Sequence, residues 1–337
     1  MIDFKYHVVS LVAMFLALAV GIVLGAGPLR GELSDTLEAQ VAELGQERND
    51  LRARVDLQQQ RAEEKDELVA ELAPNAVEGT LVGQQVRVVE LPGADDDVAD
   101  AMAMMLVQAG STSVSRTSVL GPWEDPRRAS DRQQAADEVL SAVPDEELGQ
   151  TTTPADLLAS VLAGPTSAEA TGTWQTALSS LVELDAIETS EPVMGSETPL
   201  SPGSEVMATD VVVLISGGIE AGDLNDDSQA RAVVDQRLAL VAAMVREGMP
   251  TLVVSTGTES FESDQTDAED PLVVAIRADA DLGDIISTVD NAESSAGQLA
   301  ATWATTWSLL EEYGAYGLGA DAQAPAPDRP PTESSDS

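Results

Sequence analysis

The sequence predicts an α/β protein that is held at a membrane by one N-terminal helix. Three features indicate this class. An uncharged apolar run near the N-terminus has the length of a membrane-spanning helix, a heptad pattern follows it, and short apolar strands then alternate with amphipathic helices. Alternation of this kind favours a mainly parallel sheet of the doubly wound type, covered by helices on both faces.

Residues 1–30 form the predicted membrane anchor. Within them, residues 8–26 (VVSLVAMFLALAVGIVLGA) carry no charged side chain, and as a helix they are long enough to cross about 30 Å of hydrocarbon. A cleaved signal peptide has a shorter apolar core of roughly 7–15 residues, so we interpret the run as an uncleaved signal-anchor. The short segment before it favours a single-pass topology in the cell membrane, with a cytoplasmic N-terminus and the bulk of the chain outside the cytoplasm.

Residues 31–78 form a predicted coiled-coil stalk, which Pro74 is expected to end. One heptad register places eight apolar side chains at a or d positions. A single helix cannot bury such a stripe, so we expect pairing with a second copy or with a different protein; the alternative is a long helix that lies on its own globular domain. The eight positions of this predicted seam are Leu37, Val41, Leu44, Leu51, Val55, Ala62, Val69 and Leu72.

Residues 79–319 form the predicted extracytoplasmic α/β domain. A helical insertion is expected at about 128–205, and residues 320–337, which lack core-forming side chains, are expected to be a disordered tail. Trp303 and Trp307 stand four apart on the last predicted helix, where we expect them to anchor the core. The predicted strands are 85–91, 113–120, 210–216, 251–255, 272–276 and 284–289.

Composition excludes several classes of function. The chain carries 59 Asp and Glu against 17 Lys and Arg, a formal charge of −42, so a nucleic-acid partner is not expected. Cysteine is absent and the only histidine, His7, precedes the apolar run. A Ser-His-Asp triad or a His-ligated zinc site in the domain is therefore excluded.

No cofactor motif is present in the sequence. Ser216-Gly217-Gly218 follows the end of a predicted strand, where open α/β sheets often bind ligands. It lacks the spacing of a Walker motif or of GxGxxG, so we interpret it as a tight turn. We accordingly expect a protein that is not an enzyme and that holds no cofactor.

Three segments resemble one known family. The opening run MIDFKYHVVSLVAMFLALAVGIVLGAGPL, the segment STVDNAESSAGQLAATWA at 287–304 and YGLG at 316–319 resemble the copper-transport outer-membrane protein family of mycobacteria and corynebacteria (MctB-like). The resemblance implies an actinobacterial cell-envelope protein of copper transport, efflux and resistance, with copper as the transported ion. Relatives are also linked to cell separation through a coiled-coil partner, which makes a scaffold or regulator of envelope machinery the alternative function.

The predicted strands are short and apolar throughout, unlike the alternating strands of an outer-membrane barrel. We therefore expect an accessory subunit of a channel, or an unusual oligomer, if the protein takes part in forming one.

Methionine is the soft copper ligand that the domain offers, since copper(I) prefers thiolate, thioether and then imidazole. Met102, Met104 and Met105 form the one methionine cluster and are the weak candidates for a copper contact. Helical spacing places Met102 and Met105 on an apolar face with Val98 and Leu106. We interpret these two as core residues and Met104 as a residue at the edge of that face.

Overall fold

The protein has two compact units, Met1–Lys65 and Asp66–Ser337, and the boundary between them falls inside a long helix. The second unit contains the whole sheet. The computed structural model describes residues 4–26, 28–142, 153–165, 171–190, 193–194, 209–219, 227–256 and 270–332.

The first unit begins with helix α1, Phe4–Ala26. Within the described residues, Phe4–Val23 is the one segment that is long and apolar enough to cross a membrane as a helix. Its apolar side chains are uncovered, with Phe15 60% and Leu16 66% exposed. A hydrocarbon environment would bury this surface, which agrees with the predicted membrane span.

Helix α2, Pro28–Val77, is continuous over 50 residues. The expectation that Pro74 ends this helix is wrong. Proline removes one backbone donor near the end of the helix, and the helix continues for three more residues, in which Val77 is fully buried together with Ala73 in the preceding turn. Burial of this face stabilises the last turn more than the missing hydrogen bond destabilises it.

The last three turns of α2 belong to the second unit and pack against it. The carboxylate of Asp66 accepts hydrogen bonds from the amide (2.8 Å) and the hydroxyl (3.0 Å) of Ser295. The indole Nε1 of Trp303 donates to the carbonyl oxygen of Ala76 at 3.3 Å. The buried face of these turns carries Ala73 and Val77, whereas of the predicted seam Val69 is half-buried and Leu72 is 57% exposed. Whether the apolar stripe lies on the chain's own domain stays a prediction.

The second unit is built on one mainly parallel sheet. Its strands are β1 Gln85–Glu90, β2 Ser113–Val119, β3 Ile187–Thr189, β4 Val193–Met194, β5 Val211–Ser216, β6 Thr251–Ser255, β7 Ser287–Val289 and β8 Ala315–Tyr316. Within the described residues the order is β3-β2-β1-β5-β6-β7-β8, with β4 also beside β2. Along the spatial order β2-β1-β5-β6-β7-β8, all neighbouring strands are parallel. Strands β3 and β4 run antiparallel to β2. The predicted α/β class with a mainly parallel sheet is confirmed.

Helices cover both faces of this sheet. They are α3 Asp96–Gln108, α4 Gly121–Glu124, α5 Ala129–Ala142, α6 Pro154–Ala163, α7 Thr171–Glu183, α8 Asp227–Arg246, α9 Pro271–Ala278 and α10 Ser295–Leu309. Val212 and Leu214 of β5 belong to a core shared with α4 to α9, whereas Val213 and Ile215 belong to a core shared with α3, α10 and the end of α2. Burial on both faces explains why this strand is an unbroken apolar run.

The prediction of a strand at 272–276 is wrong, because these residues lie in α9. The carboxylate of Asp270 accepts the amides of Leu272 (2.8 Å) and Val273 (3.2 Å) and so caps the helix. Pro271 occupies the first turn, where no backbone donor is needed. The region predicted as a helical insertion contains α5, α6 and α7, and also the two short antiparallel strands β3 and β4.

Residues 320–332 were expected to belong to a disordered tail. They differ from that expectation because they are held against the rest of the second unit. The indole Nε1 of Trp307 donates to the carbonyl oxygen of Asp328 at 2.8 Å. Tyr316 and Ala324 form a parallel bridge. Ala326 also packs against the core that contains α3 and α10, and Pro327 and Pro330 are buried. Hydrogen bonds and small apolar side chains therefore hold this segment, although it has no large apolar residue.

Candidate ligand site at the carboxyl edge of the sheet

The order of the strands changes direction between β1 and β5. From β1 the chain crosses through α3 to β2 on one side, whereas the strands after β5 extend the sheet on the other side. The helices that follow β1 and β5, α3 and α8, therefore lie on opposite faces of the sheet. Open α/β sheets bind ligands in the crevice that such a switch point creates, so the topology locates a candidate site here.

Glycines bring these two loops into contact. Gly93 follows β1 with a φ of +83°, in the left-handed region that favours glycine. A Cβ added to Gly217 would lie 1.8 Å from the carbonyl carbon of Gly93, and a Cβ on Gly93 would lie 2.5 Å from the carbonyl oxygen of Gly218. Gly217 and Gly218, predicted to form a tight turn, thus lie in a loop that touches the loop after β1; the turn itself stays a prediction.

Arg237 of α8 joins these loops to α4. Its guanidinium makes a bidentate pair with Glu124, with Nε–Oε1 and Nη2–Oε2 distances of 2.8 Å each. It also donates to the carbonyl oxygens of Gly217 (2.7 Å) and Pro92 (2.9 Å) and to the hydroxyl of Ser216 (3.3 Å). Arg237 is 3% exposed. These bonds use all five donors of the guanidinium. Arg237 therefore has a structural role and has no donor left for a ligand.

A second buried carboxylate extends this network. The hydroxyl of Ser216 donates to Oδ2 of Asp270 at 2.9 Å. Burial raises the pKa of Asp270 above its ordinary value, while the hydrogen bond from Ser216 acts in the opposite direction. Burial likewise raises the pKa of Glu124, against the lowering effect of Arg237. For both carboxyl groups, desolvation has the largest effect on the pKa.

A cavity of about 660 Å³ opens beside the network. Its lining comes from the loops after β1 and β5, from residues 121–128 and from one face of α8. This volume lies within the roughly 300–1,000 Å³ that is usual for small-molecule sites.

A fixed turn presents arginines at this cavity. Asp125 Oδ1 accepts hydrogen bonds from the amide and from Nε of Arg127, both at 2.9 Å. Arg132 donates to the carbonyl oxygen of Asp125 at 2.7 Å, and its guanidinium lies 5.8 Å from the centroid of the Trp123 ring. The side chains of Arg127 and Arg128 are 73% and 36% exposed. The backbone of the turn is therefore fixed while two guanidinium groups remain accessible to solvent.

The charged groups at the cavity have partners within the protein. Among the described residues, no group of three or more His, Cys, Asp or Glu side chains is placed to hold a metal ion. The buried carboxylates Glu124 and Asp270 are engaged by donors of the protein itself. Both exposed guanidinium groups also have a carboxylate partner, because Arg127 makes a bidentate pair with Asp125 and Arg128 lies 3.6 Å from Asp131.

The structure places the three candidate methionines on α3, away from the lining of the cavity. Met102 and Met105 are buried in the core, at 0% and 8% exposure, and Met104 is 58% exposed. The burial of Met102 and Met105 and the exposure of Met104 agree with the prediction from helical spacing, which placed the first two in the core and Met104 at the edge. A copper contact at Met104 stays a prediction.

The predicted seam residues all lie on α2. Among those of the first unit, Val41, Leu44, Leu51 and Val55 are between 53% and 68% exposed, and Ala62 is exposed as well. In the second unit Val69 is half-buried and Leu72 is 57% exposed. The side chain of Leu37 lies outside the described residues. Pairing through the seam stays a prediction.

Sequence reasoning missed Glu124, Arg237 and Asp270. One signal was available, because Arg237 stands on the buried face of α8 with Val233 and Val241. A charged side chain on an apolar helix face indicates a buried partner. That partner, Glu124, lies 113 positions away in the sequence, so no local pattern could identify it.

Comparison with known proteins places the chain in a family. Residues 1–327 match the family described as "Copper transport outer membrane protein, MctB". The chain belongs to this family. The predicted resemblance is therefore confirmed over nearly the whole chain, and the matched range includes α1, α2 and every residue of the carboxyl-edge cavity.

Named relatives in this family align with most or part of the chain. The "Copper transporter MctB" proteins of Mycobacterium tuberculosis and Mycobacterium bovis are 28% identical over 317 residues, which covers 89% of this chain and 90% of the relative. The "Copper transporter MctB" of Mycobacterium leprae is 33% identical over 132 residues, which is 37% of this chain and 39% of the relative.

Proposed function

We propose that this protein is a membrane-anchored component of copper transport that supports copper export and resistance. The observation that carries the proposal is membership of the MctB family over residues 1–327, together with relatives that are named copper transporters and align over 90% of their length. Helix α1 supports the membrane anchor.

The α/β domain is proposed to be an accessory part of this system and not the conduit for the ion. Its described strands are two to seven residues long, whereas a strand that crosses a membrane in a barrel needs about 9–11 residues. All residues of β5 and β6 are buried, so these strands have no face for lipid. The burial of Met102, Met105 and Met244, with Met104 as a single exposed thioether of α3, and the absence of cysteine favour a domain that holds no tight copper site.

The same observations favour a domain that is not an enzyme. The two buried carboxylates at the carboxyl edge are engaged in holding loops, and no histidine follows His7 in the sequence. General acid–base catalysis at neutral pH most often uses histidine. In the proposed topology α1 crosses the cell membrane once, with its N-terminus in the cytoplasm and the domain outside.

The proposal is tested by measuring cell-associated copper with elemental mass spectrometry in a deletion strain. Complementation uses the wild-type chain and a chain that lacks residues 1–26 and is secreted by an unrelated cleavable signal. We expect the deletion strain to accumulate copper, the wild-type chain to correct it, and the unanchored chain to fail. Unchanged copper in the deletion strain would defeat the copper role, and correction by the unanchored chain would defeat the role of the anchor.

A second candidate function is a scaffold for cell-envelope or cell-separation machinery that binds its partner through α2. The observation that favours it is the exposed seam, where Val41 is 68% and Leu44 is 63% exposed. Apolar a and d positions repeated over several heptads are typical of helices that pair. Both functions are compatible with one protein, since α2 and the α/β domain are different parts of the chain.

A further inference from the structure

We propose that the exposed seam of α2 pairs with the same seam of a second copy of this chain. The two helices form a parallel, two-stranded coiled coil in which identical residues lie opposite one another. The proposal names the partner of α2 in the second candidate function, and it rests on the membrane anchor of the proposed function but not on the copper role. Three observations carry it: the residue types of the seam, the position of α1, and the charges beside the seam.

The seam has apolar side chains that no described part of the chain covers. Val41 and Val55 are 68% and 54% exposed and occupy a positions of the heptad, whereas Leu44 and Leu51 are 63% and 53% exposed and occupy d positions. Valine at a together with leucine at d is the combination that favours two strands in parallel coiled coils. The residue types therefore indicate one partner helix that runs in the same direction.

The position of α1 gives two copies a common direction and register. Helix α1 ends at Ala26 and α2 begins at Pro28, so α2 starts at the same membrane surface in every anchored copy. Two copies in one membrane consequently run in the same direction, and each heptad of one copy lies level with the same heptad of the other. Anchoring in one membrane also raises the effective concentration of one seam near another.

The charges beside the seam complement those of a second copy. In a parallel coiled coil, each g position lies beside the e position of the following heptad on the other helix. Glu47 occupies a g position and Arg52 the next e position, so Glu47 of each copy lies beside Arg52 of the other. The other two such pairs within residues 40–65 contain no like charges: Gln40 with Gly45, and Arg54 with Gln59.

Within one chain, the side chains of Glu47 and Arg52 make no ion pair or hydrogen bond with a described residue. Glu43 precedes Glu47 by four positions and Arg48 precedes Arg52 by four, and like charges at this spacing destabilise a helix. Asp56 stands four positions after Arg52 without forming an ion pair with it. A second copy supplies the opposite charge for both Glu47 and Arg52.

The polar seam positions are compatible with a second copy. Arg48 lies at an a position, next to the preceding g position of the other helix, so its guanidinium lies beside Glu47 of that copy. Gln58 faces another Gln58, and two amides can exchange hydrogen bonds. Lys65 can extend its ammonium group into water along its flexible stem. Polar residues in a seam fix register and strand number at a cost in stability.

The test uses the absence of cysteine from the chain. Membranes from cells that produce full-length Leu44→Cys or Gln58→Cys are treated with a short bis-maleimide. These d positions lie two heptads apart, about 21 Å along the helix. A parallel pair in register places both positions opposite themselves, whereas an antiparallel pair can do so for one of them at most. The matched control is Ala53→Cys, at an exposed f position of the same helix.

We expect covalent dimers from Leu44→Cys and Gln58→Cys and none from Ala53→Cys. Dimers from one d position alone would overturn the parallel register. Dimers from neither, or equal dimers from all three variants, would overturn pairing with a second copy. Membrane-bound chain without cross-links contradicts the pairing alone, whereas chain recovered in the soluble fraction contradicts the anchor on which both proposals rest.

A charge exchange tests the contact between Glu47 and Arg52. Two chains that carry Leu44→Cys and different affinity tags are produced together, one with Arg52→Glu and the other with Glu47→Arg. Self pairs then contain like charges at both contacts, and mixed pairs contain opposite charges at both. We expect mixed dimers to exceed the statistical share at least about threefold.

The matched control replaces Glu47→Arg by Glu43→Arg, the same substitution at an outer c position. In that mixture the mixed pair has one attractive and one repulsive contact, so we expect no excess of mixed dimers. An equal share of mixed dimers in both mixtures would show that the charges at 47 and 52 do not meet between copies, and would overturn the proposed geometry.

Discussion

At the residue scale, Arg237 holds the loops after β1 and β5 against α4 at the carboxyl edge. It is 3% exposed and pairs with Glu124, which is 6% exposed. Removing one partner of a buried ion pair leaves the other charge desolvated, at a cost of about 3–5 kcal/mol. We expect Arg237→Met to lower the free energy of unfolding of the second unit by about this amount. All four tryptophans lie in that unit, so urea unfolding followed by tryptophan fluorescence measures it.

Two further variants separate the ion pair from a general effect of substitution. Arg231→Met lies on the same helix at an exposed position, and we expect a change within about 0.5 kcal/mol. In Arg237→Met/Glu124→Leu neither charge remains, so much of the lost stability should return. If the double variant is as unstable as the single one, the loss comes from the carbonyl oxygens that Arg237 satisfies and not from the unpaired carboxylate.

Asp270 gives the stability of the second unit a defined dependence on pH. Burial raises its pKa above the ordinary value of 3.8, so the folded state binds the proton more tightly than the unfolded state. Its stabilising contribution is fully present below about pH 3.8 and is lost as the pH rises through the raised pKa. In Asp270→Asn this titration is absent, and the fall in Tm between about pH 3.5 and about pH 7 should be smaller than in the wild type.

The control for this prediction is Asp137→Asn, at an exposed position of α5. It removes the same charge from an acidic chain, and therefore reports how much of the pH dependence arises from general repulsion among carboxylates. Equal pH slopes in Asp270→Asn and Asp137→Asn would show that burial of Asp270 has no measurable effect on its titration.

At the scale of elements, helix α2 has a buried face at its end and an exposed predicted seam before it. Its last turns are buried against α10, while its seam is exposed in the first unit. We expect Val55→Asp to weaken pairing of α2 by at least about tenfold, because it places a charge in an apolar seam. Light scattering in detergent micelles measures the assembly mass, and tryptophan fluorescence checks that the second unit stays folded.

Leu57 provides the matched control for this prediction. It is an apolar residue on the same helix, 46% exposed, and lies outside the a and d positions. Leu57→Asp should leave the assembly mass unchanged. The seam has no role in pairing if Val55→Asp also leaves the mass and the recovery of a bound partner unchanged.

Helix α9 shows where element prediction fails. A five-residue apolar run satisfies the pattern of a buried strand and of a buried helix turn equally well. The deciding features were the capping Asp270 and Pro271 at the first helical position. The spacing of Leu272, Val273 and Ile276, all buried, also fits one helix face. These local signals are present in the sequence and outweigh the β propensity of the run.

At the scale of the whole molecule, the fold could be predicted and the site largely could not. Buried parallel strands leave a strong local pattern, which gave the strands at 85–91, 210–216 and 251–255 within one or two residues of β1, β5 and β6. The cavity depends on the order of the strands, which joins residues more than 100 positions apart, such as Glu124 and Arg237. The glycines at 217–218 are a local sequence pattern that indicates where the cavity lies. No local pattern indicates which side chains pair with each other around it.

The topology of the whole molecule can be tested because the chain contains no cysteine. A single introduced cysteine is then the only thiol in this chain that a membrane-impermeant maleimide can label. Lys5→Cys lies at the exposed start of α1, and Glu188→Cys lies at an exposed position of the α/β domain. We expect Glu188→Cys to react in cells whose cell membrane is intact, and Lys5→Cys to react only after that membrane is permeabilised.

The two single-cysteine chains check each other in this labelling experiment. Reaction of Lys5→Cys but not of Glu188→Cys in intact cells would reverse the proposed orientation. Reaction of neither before permeabilisation, with both reacting afterwards, would place both residues in the cytoplasm and show that α1 does not cross the membrane. In either case the α/β domain would be cytoplasmic, and a role of this domain in carrying copper beyond the cell membrane would lose its structural basis.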